Sequence, residues 1–190
     1  MDQNALRKLI ALTRKQSYQE GDFTLASGRK SSFYIDLKAT TLHPEGAALI
    51  GSLAVELLSP KKLSIEGVGG LTLGADPLAT AISLAAHAKG IFWPAFIVRK
   101  EPKDHGTGLA FGRYIEGTEN LRPGASLLVL EDVVTTGASS LKAIERLRQA
   151  GYNPIAALTV VDRQEGGAEA IRAAGVELFS LMTLGEIRKT

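Results

Sequence analysis

A chain of 190 residues with 45% hydrophobic content can bury a sizeable core and suits one compact domain. Its 22 basic and 20 acidic residues leave a net charge of +2, too small a basic excess for a nucleic-acid binder driven by counterion release. The absence of cysteine excludes disulfides, thiolate metal sites and a cysteine nucleophile. No apolar run is long enough to span a bilayer, and the N-terminal MDQNALRKLIALTRKQ is amphipathic rather than signal-like, so a soluble cytoplasmic protein without a membrane partner is expected.

Leu6, Leu9, Ile10 and Thr13 share one helical face, which predicts a surface helix over Asn4–Lys15. Ser17–Ser32 is polar with little periodicity, and Phe33–Leu37 reads as a short strand. His43–Pro44–Glu45 has the form of a helix start with proline in the first turn, and Ala47–Leu58 continues it. Ser64–Val68 is expected as a strand, followed by a helix that opens at Asp76–Pro77, runs to Lys89 and stops at Gly90. Ile91–Val98 reads as a strand made irregular or edge-like by its proline. The long segment Lys100–Gly117 is rich in glycine and cationic side chains; a loop of that length is usually functional or a solvated linker. Then follow a strand at Ser126–Leu130, a helix at Ala138–Gln149 closed by Gly151, and a strand at Ile155–Val161. A short helix at Ala168–Ala174 and a strand at Val176–Leu181 end the pattern. Strands rich in Val, Ile and Leu alternating with helices imply an α/β fold, a mainly parallel sheet flanked by helices.

The segment Leu127–Ser140, LLVLEDVVTTGASS, carries the chemistry. Ligands of parallel sheets bind at the carboxyl ends of strands, so Glu131 and Asp132 fall at the mouth of a site. After Val133 and Val134, the run Thr135, Thr136, Gly137, Ala138 and Ser139 opens a helix, where free amides and the positive dipole end favour an anion. A phosphate monoester fits such a loop. A carboxylate beside a phosphate needs another task, and vicinal ribose hydroxyls supply one. Neither a Walker loop nor the Rossmann glycine pattern is present. A plain capped helix after a buried strand would leave unexplained the desolvation cost of two consecutive acids.

This run resembles the signature of the type I phosphoribosyltransferases. FTLASGRKSSFYID (Phe23–Asp36), GVGGLTLGADPLA (Gly67–Ala79), RKEPKDHG (Arg99–Gly106) and VVDRQEGG (Val160–Gly167) are similar, in order, to the orotate phosphoribosyltransferases. The resemblance implies a single domain over 1–190. A small hood would come mainly from about residues 1–40 and the C-terminal end, with a flexible lid loop at about 99–113. It implies transfer of ribose 5-phosphate from phosphoribosyl pyrophosphate to orotate, giving orotidine 5′-monophosphate and pyrophosphate in pyrimidine biosynthesis. Lys103 and Asp132 would be catalytic. Arg99, Lys100, Lys103 and His105, with residues 131–139, would bind phosphoribosyl pyrophosphate. Thr135, Arg163 and Tyr34 would bind orotate. Mg²⁺ would arrive with the diphosphate, without a protein metal cage. A homodimer would share the lid loop between subunits.

The residues themselves agree. Arg99, Lys100, Lys103 and His105 place up to four cationic donors in seven residues, a solvated charge run or a lid over a leaving pyrophosphate. Arg163 follows a strand and suits a carboxylate bidentately, unless it is a surface arginine paired with Asp162 or Glu165. Gly69, Gly70 and Gly74 would let backbone amides approach the diphosphate. His43 and His87 read as structural. Ala26 and Leu73 stand where some relatives carry lysines, and Glu131 where they carry aspartate, so the lid must supply more of the positive charge. A phosphoribosyltransferase for another base, or a regulator that senses phosphoribosyl pyrophosphate, are the rival readings.

Overall fold

Asp2 opens the first helix, α1 (Gln3–Ser17), and its carboxylate accepts from the amides of Asn4 and Ala5 at 2.8 and 3.2 Å. Two of the free donors at a helix start are thereby satisfied. The buried stripe Leu6, Leu9, Ile10 and Thr13 is the one the periodicity predicts. These details come from a computed structural model, which describes residues 1–24, 28, 30–102 and 114–189.

The chain next forms an antiparallel pair, β1 (Tyr18–Thr24) and β2 (Lys30–Ile35), separate from the main sheet. The reading of Ser17–Ser32 as irregular is corrected here. β1 is almost wholly exposed and its register shifts between Glu20 and Phe23, so no alternation marks it in the sequence. Helices α2 (Lys38–Thr41) and α3 (Pro44–Leu58) follow.

The main sheet contains β3 (Gly67–Leu71), β4 (Ala95–Val98), β5 (Ile115–Glu116), β6 (Ser126–Val134), β7 (Asn153–Asp162) and β8 (Glu177–Thr183). Their spatial order is β5-β4-β3-β6-β7-β8, and every pair is parallel except β4 with β5. Helices α4 (Ala75–His87), α5 (Ala138–Gln149), α6 (Gly167–Ala173) and α7 (Leu184–Lys189) complete the fold. One core cluster packs α1, α3, α4 and α7 on one face of the sheet; a second packs α5 and α6 on the other. Helices on both faces explain the continuous apolar runs of β6 and β7.

Several boundaries move. The strand expected at Ser64–Val68 is β3, displaced to Gly67–Leu71, with all five residues buried. A Cβ on Gly69 would run into the carbonyl oxygen of Phe96, and one on Gly70 into that of Leu130. These glycines, expected in a loop against the diphosphate, lie inside the sheet; only Gly74 stands at its end. The strand expected from Ile91 begins at Ala95, because Pro94 has no N–H to donate; its carbonyl accepts from Val68 at 3.0 Å. β6 runs four residues beyond Leu130, so both acids belong to the strand. β5, α2 and α7 are too short to leave a periodic signal.

His43 is the residue before α3 and makes no side-chain cap hydrogen bond; His87 ends α4, exposed.

Candidate functional site

From β3 the chain moves outward to β4 and β5, then returns to place β6 on the other side of β3. The crevice between the carboxyl ends of β3 and β6 is therefore the switch point of the sheet, where ligands of open α/β sheets bind. Asp132 faces it. A Cβ on Gly74 would lie 2.7 Å from one Asp132 carboxylate oxygen and 3.1 Å from the other, so this carboxylate spans the gap to the loop after β3. Its Oδ1 accepts from the Val133 amide at 2.9 Å, and the Thr159 hydroxyl donates to the Asp132 carbonyl at 3.2 Å. In the opposite loop Thr72 donates to Asp76 Oδ2 at 2.6 Å, and Leu73 is exposed.

Glu131 precedes Asp132 on β6, and its carboxyl lies close enough to that of Asp132 to interact with it. It is only 9% exposed and receives a long 3.5 Å hydrogen bond from Ser140. Burial, reinforced by the Asp132 charge, pushes its carboxyl up to about 8, so at neutral pH it is mostly protonated and can donate as well as accept. The folded value lies above the ordinary 4.5, so between the two the folded chain binds more protons than the unfolded one. The stability associated with this group is full below 4.5 and is lost as pH rises through about 8. Glu131→Gln should flatten this dependence. Scanning calorimetry between about pH 5 and pH 9 should show the wild-type midpoint falling about 10 °C further than that of the variant. Parallel curves would mean that Glu131 is ionised in the folded protein.

Beyond β6, Thr135, Thr136 and Gly137 curve into α5 around a cavity of about 100 Å³ lined by Glu131, Val133–Val134, and residues 135–140. Gly137 takes φ 80°, and a Cβ there would stand 3.1 Å from the Gly167 carbonyl, so the turn requires glycine. Ala138–Ser140, the first turn of α5, line this cavity, and amides of a first helical turn have no partner within the helix. Its size, hydroxyls and dipole suit one phosphate group.

Arg163 follows β7, and its amide donates to the Val134 carbonyl at 3.0 Å, tying it to the same strand end. Its side chain is 11% exposed, pairs with Glu165 at 2.6 Å, and lies 5.0 Å from the centre of the Phe33 ring. The surface pairing weighed from the sequence is thus present, but under the cover of β2. Tyr34 points to the other side of β2, exposed, with its ring 5.7 Å from that of Phe23.

Arg99 and Lys100 follow β4. Arg99 pairs with Glu116 at 3.0 Å, and its amide donates to the Tyr114 carbonyl at 2.8 Å. Thr72, Asp76, Arg99, Lys100, Glu101 and Glu116 contribute to the lining of a second cavity, about 370 Å³, on the β3–β4 side of the crevice. Lys103 and His105 lie outside the described residues, as do Ala26 and positions 103–113 of the expected lid. Sequence reasoning missed Lys38. Its ammonium bonds Asp36 at 2.7 Å, which raises its pKa, and the Asp132 carboxylate is near enough to add to that rise. The only sequence signal was its place just after the FYID run.

No family model matches the chain. The orotate phosphoribosyltransferase of Nostoc sp. is 46% identical over 183 residues, covering 96% of this chain and 85% of that protein. Among solved structures, Mycobacterium tuberculosis H37Rv orotate phosphoribosyltransferase in complex with Fe(III) dicitrate superposes with a TM-score of 0.83 at 43% identity, covering 96% and 98% of the two chains. The complex of that enzyme with 5-phospho-alpha-D-ribosyl 1-diphosphate gives 0.79 at 40% identity, covering 97% and 99%. Likeness of this extent in sequence and fold leaves one conclusion: the chain belongs to the orotate phosphoribosyltransferase family.

Proposed function

We propose that this chain transfers the 5-phosphoribosyl group of phosphoribosyl pyrophosphate to a ring nitrogen of orotate, as its family membership indicates, and that the crevice between β3 and β6 is where it does so. The observation that carries the assignment is the position of Asp132, between a phosphate-sized cavity and a cavity bordered by Arg99 and Lys100. The 5-phosphate sits on Thr135–Ser139. The ribose hydroxyls donate to Asp132 and exchange hydrogen bonds with Glu131. The diphosphate extends toward Thr72–Gly74, Arg99 and Lys100, joined by Lys103 and His105. The bond between the anomeric carbon and the diphosphate oxygen breaks with its electron pair leaving on pyrophosphate. The nitrogen lone pair of orotate forms the new bond, and its proton passes to solvent or pyrophosphate. Charge on the sugar builds as the bond lengthens, and Asp132 faces it. Arg163 holds the orotate carboxylate, sharing its guanidinium with Glu165, while Thr135 and the backbone of Phe33 and Tyr34 border the ring.

Among the described residues no three His, Cys, Asp or Glu side chains converge as a metal cage. Asp132 offers hard carboxylate oxygens, which fit a Mg²⁺ that keeps most of its waters and is held chiefly by substrate oxygens. When bound, the ion supplies charge neutralisation for the diphosphate.

We also propose one domain with a β1–β2 hood and a lid at 99–113, working as a homodimer. The groove between α3 and α4, lined by Ala47, Ala48, Ala81, Leu84 and Ala85, is apolar, and Leu84 is 65% exposed. A second copy covers this face, and the lid is shared between the two subunits. The reading places the enzyme in the cytoplasm; among the described residues no helix is long and apolar enough to cross a membrane.

The test is loss of orotate absorbance on mixing protein, Mg²⁺, phosphoribosyl pyrophosphate and orotate, with EDTA stopping the reaction. Turnover with a purine or uracil but not orotate would overturn the acceptor. No turnover with any base, beside tight sugar-phosphate binding, would make the chain a sensor.

A further inference from the structure

We infer that Arg146 is a positioning residue, which grips the backbone of Arg99 and Lys100 from the ribose-phosphate helix and so sets where those two cations stand against the diphosphate. The inference rests on the assignment of Arg99 and Lys100 made above. Arg146 lies in α5, eight residues after Ala138, or about 12 Å along the helix from the phosphate cavity. It is too far along to touch the 5-phosphate itself. Its guanidinium instead reaches the far side of the crevice. One terminal nitrogen donates to the Arg99 carbonyl, and the other donates to the Lys100 carbonyl at 2.8 Å. Its central carbon also lies 4.2 Å from the centre of the Tyr114 ring. Tyr114 in turn holds the Arg99 amide through its carbonyl at 2.8 Å.

Three features of this contact point to position rather than bulk stability. First, both carbonyls belong to the residues whose side chains border the diphosphate-side cavity. Second, the geometry uses what is particular to arginine. A planar fork bonds two successive carbonyls while its face stacks on a ring, which an ammonium does not reproduce. Third, α5 already presents the 5-phosphate site at its first turn. One rigid helix therefore fixes both anion-binding ends, and the distance between them governs how the anomeric carbon is presented.

Calorimetric titration of phosphoribosyl pyrophosphate with Mg²⁺, and of ribose 5-phosphate, tests this beside steady-state kinetics. Arg146→Ala is expected to weaken phosphoribosyl pyrophosphate about tenfold and lower kcat by a similar factor, while ribose 5-phosphate binding and the KM for orotate change less than about twofold. Arg146→Lys, which keeps the charge without the fork, should fall between wild type and Arg146→Ala. Equal weakening of both sugar phosphates, no weakening of either, or full recovery by lysine would each overturn the inference. If Arg146→Ala does not fold, Arg146→Lys and Tyr114→Leu are read by the same ratio. A wild-type protein inactive toward orotate would defeat the proposed reaction, yet the ratio of the two affinities would still judge Arg146.

Discussion

Asp132→Asn is expected to lower kcat by about 10²- to 10³-fold, the range seen when one preorganised electrostatic partner of a transition state is lost. The exchange is nearly isosteric. The side-chain oxygen that accepts from the Val133 amide at 2.9 Å is retained, so local folding should hold. What disappears is the negative charge facing the sugar while its anomeric carbon turns cationic, worth about 3–4 kcal/mol at such rates. Affinity for phosphoribosyl pyrophosphate should fall less than about tenfold, since both phosphate ends are held elsewhere. Steady-state kinetics in orotate and phosphoribosyl pyrophosphate reads both numbers. The same variant tests the shared lid. Mixed with Lys103→Ala and allowed to exchange subunits, it should give dimers in which one site carries both defects and the other neither. Activity would then rise to about a quarter of wild type for random pairing. A mixture no better than its parents would place Lys103 in its own subunit's crevice.

Gly69→Ala is expected to cost at least about 3 kcal/mol, near the upper end for overpacking, because the new methyl meets backbone rather than a movable side chain. Besides the Phe96 carbonyl, the added Cβ would stand 2.7 Å from a carbon of the Phe96 ring. β3 is hydrogen-bonded on both edges, to β4 and β6, so it cannot slide away without opening the crevice. A fall of about 8 °C in the unfolding midpoint follows for a chain of this size, measured by calorimetry. Gly185→Ala is the control. A Cβ there meets only Thr183 Oγ1 at 3.8 Å within α7, and the midpoint should hold or rise slightly.

These two residues also mark what the sequence disclosed and what it hid. The cavity-lining turn after β6 was legible because it is local: Glu131, the threonines and Gly137 lie within a few residues of one another. α3, α4 and α5 were legible because each is long and has a clear start or stop. Gly69 and Gly70 looked like loop residues because their reason is the nearness of Phe96 and Leu130, 27 and 60 positions away. β1 was hidden because its exposed faces carry no alternation. Arg146 and Lys38 were hidden because nothing near them in the chain shows which backbone or carboxylate they meet. The depth at which Glu131 is buried, and hence its protonation, likewise depends on Ser140 and the packing of α5 against the sheet.

The reversal of strand order between β3 and β6 has a chemical consequence. In the proposed reaction, the side of the sheet containing β3 and β4 handles what is discarded, the pyrophosphate. The side containing β6 and β7 handles what is kept, the sugar phosphate and the base joined to it. The product nucleotide would then be assembled on one half of the sheet while the leaving group departs from the other. Acceptor choice could drift through changes around β2 and Arg163 without disturbing the machinery of departure. A scaffold with this division of labour invites new acceptors for the same activated sugar.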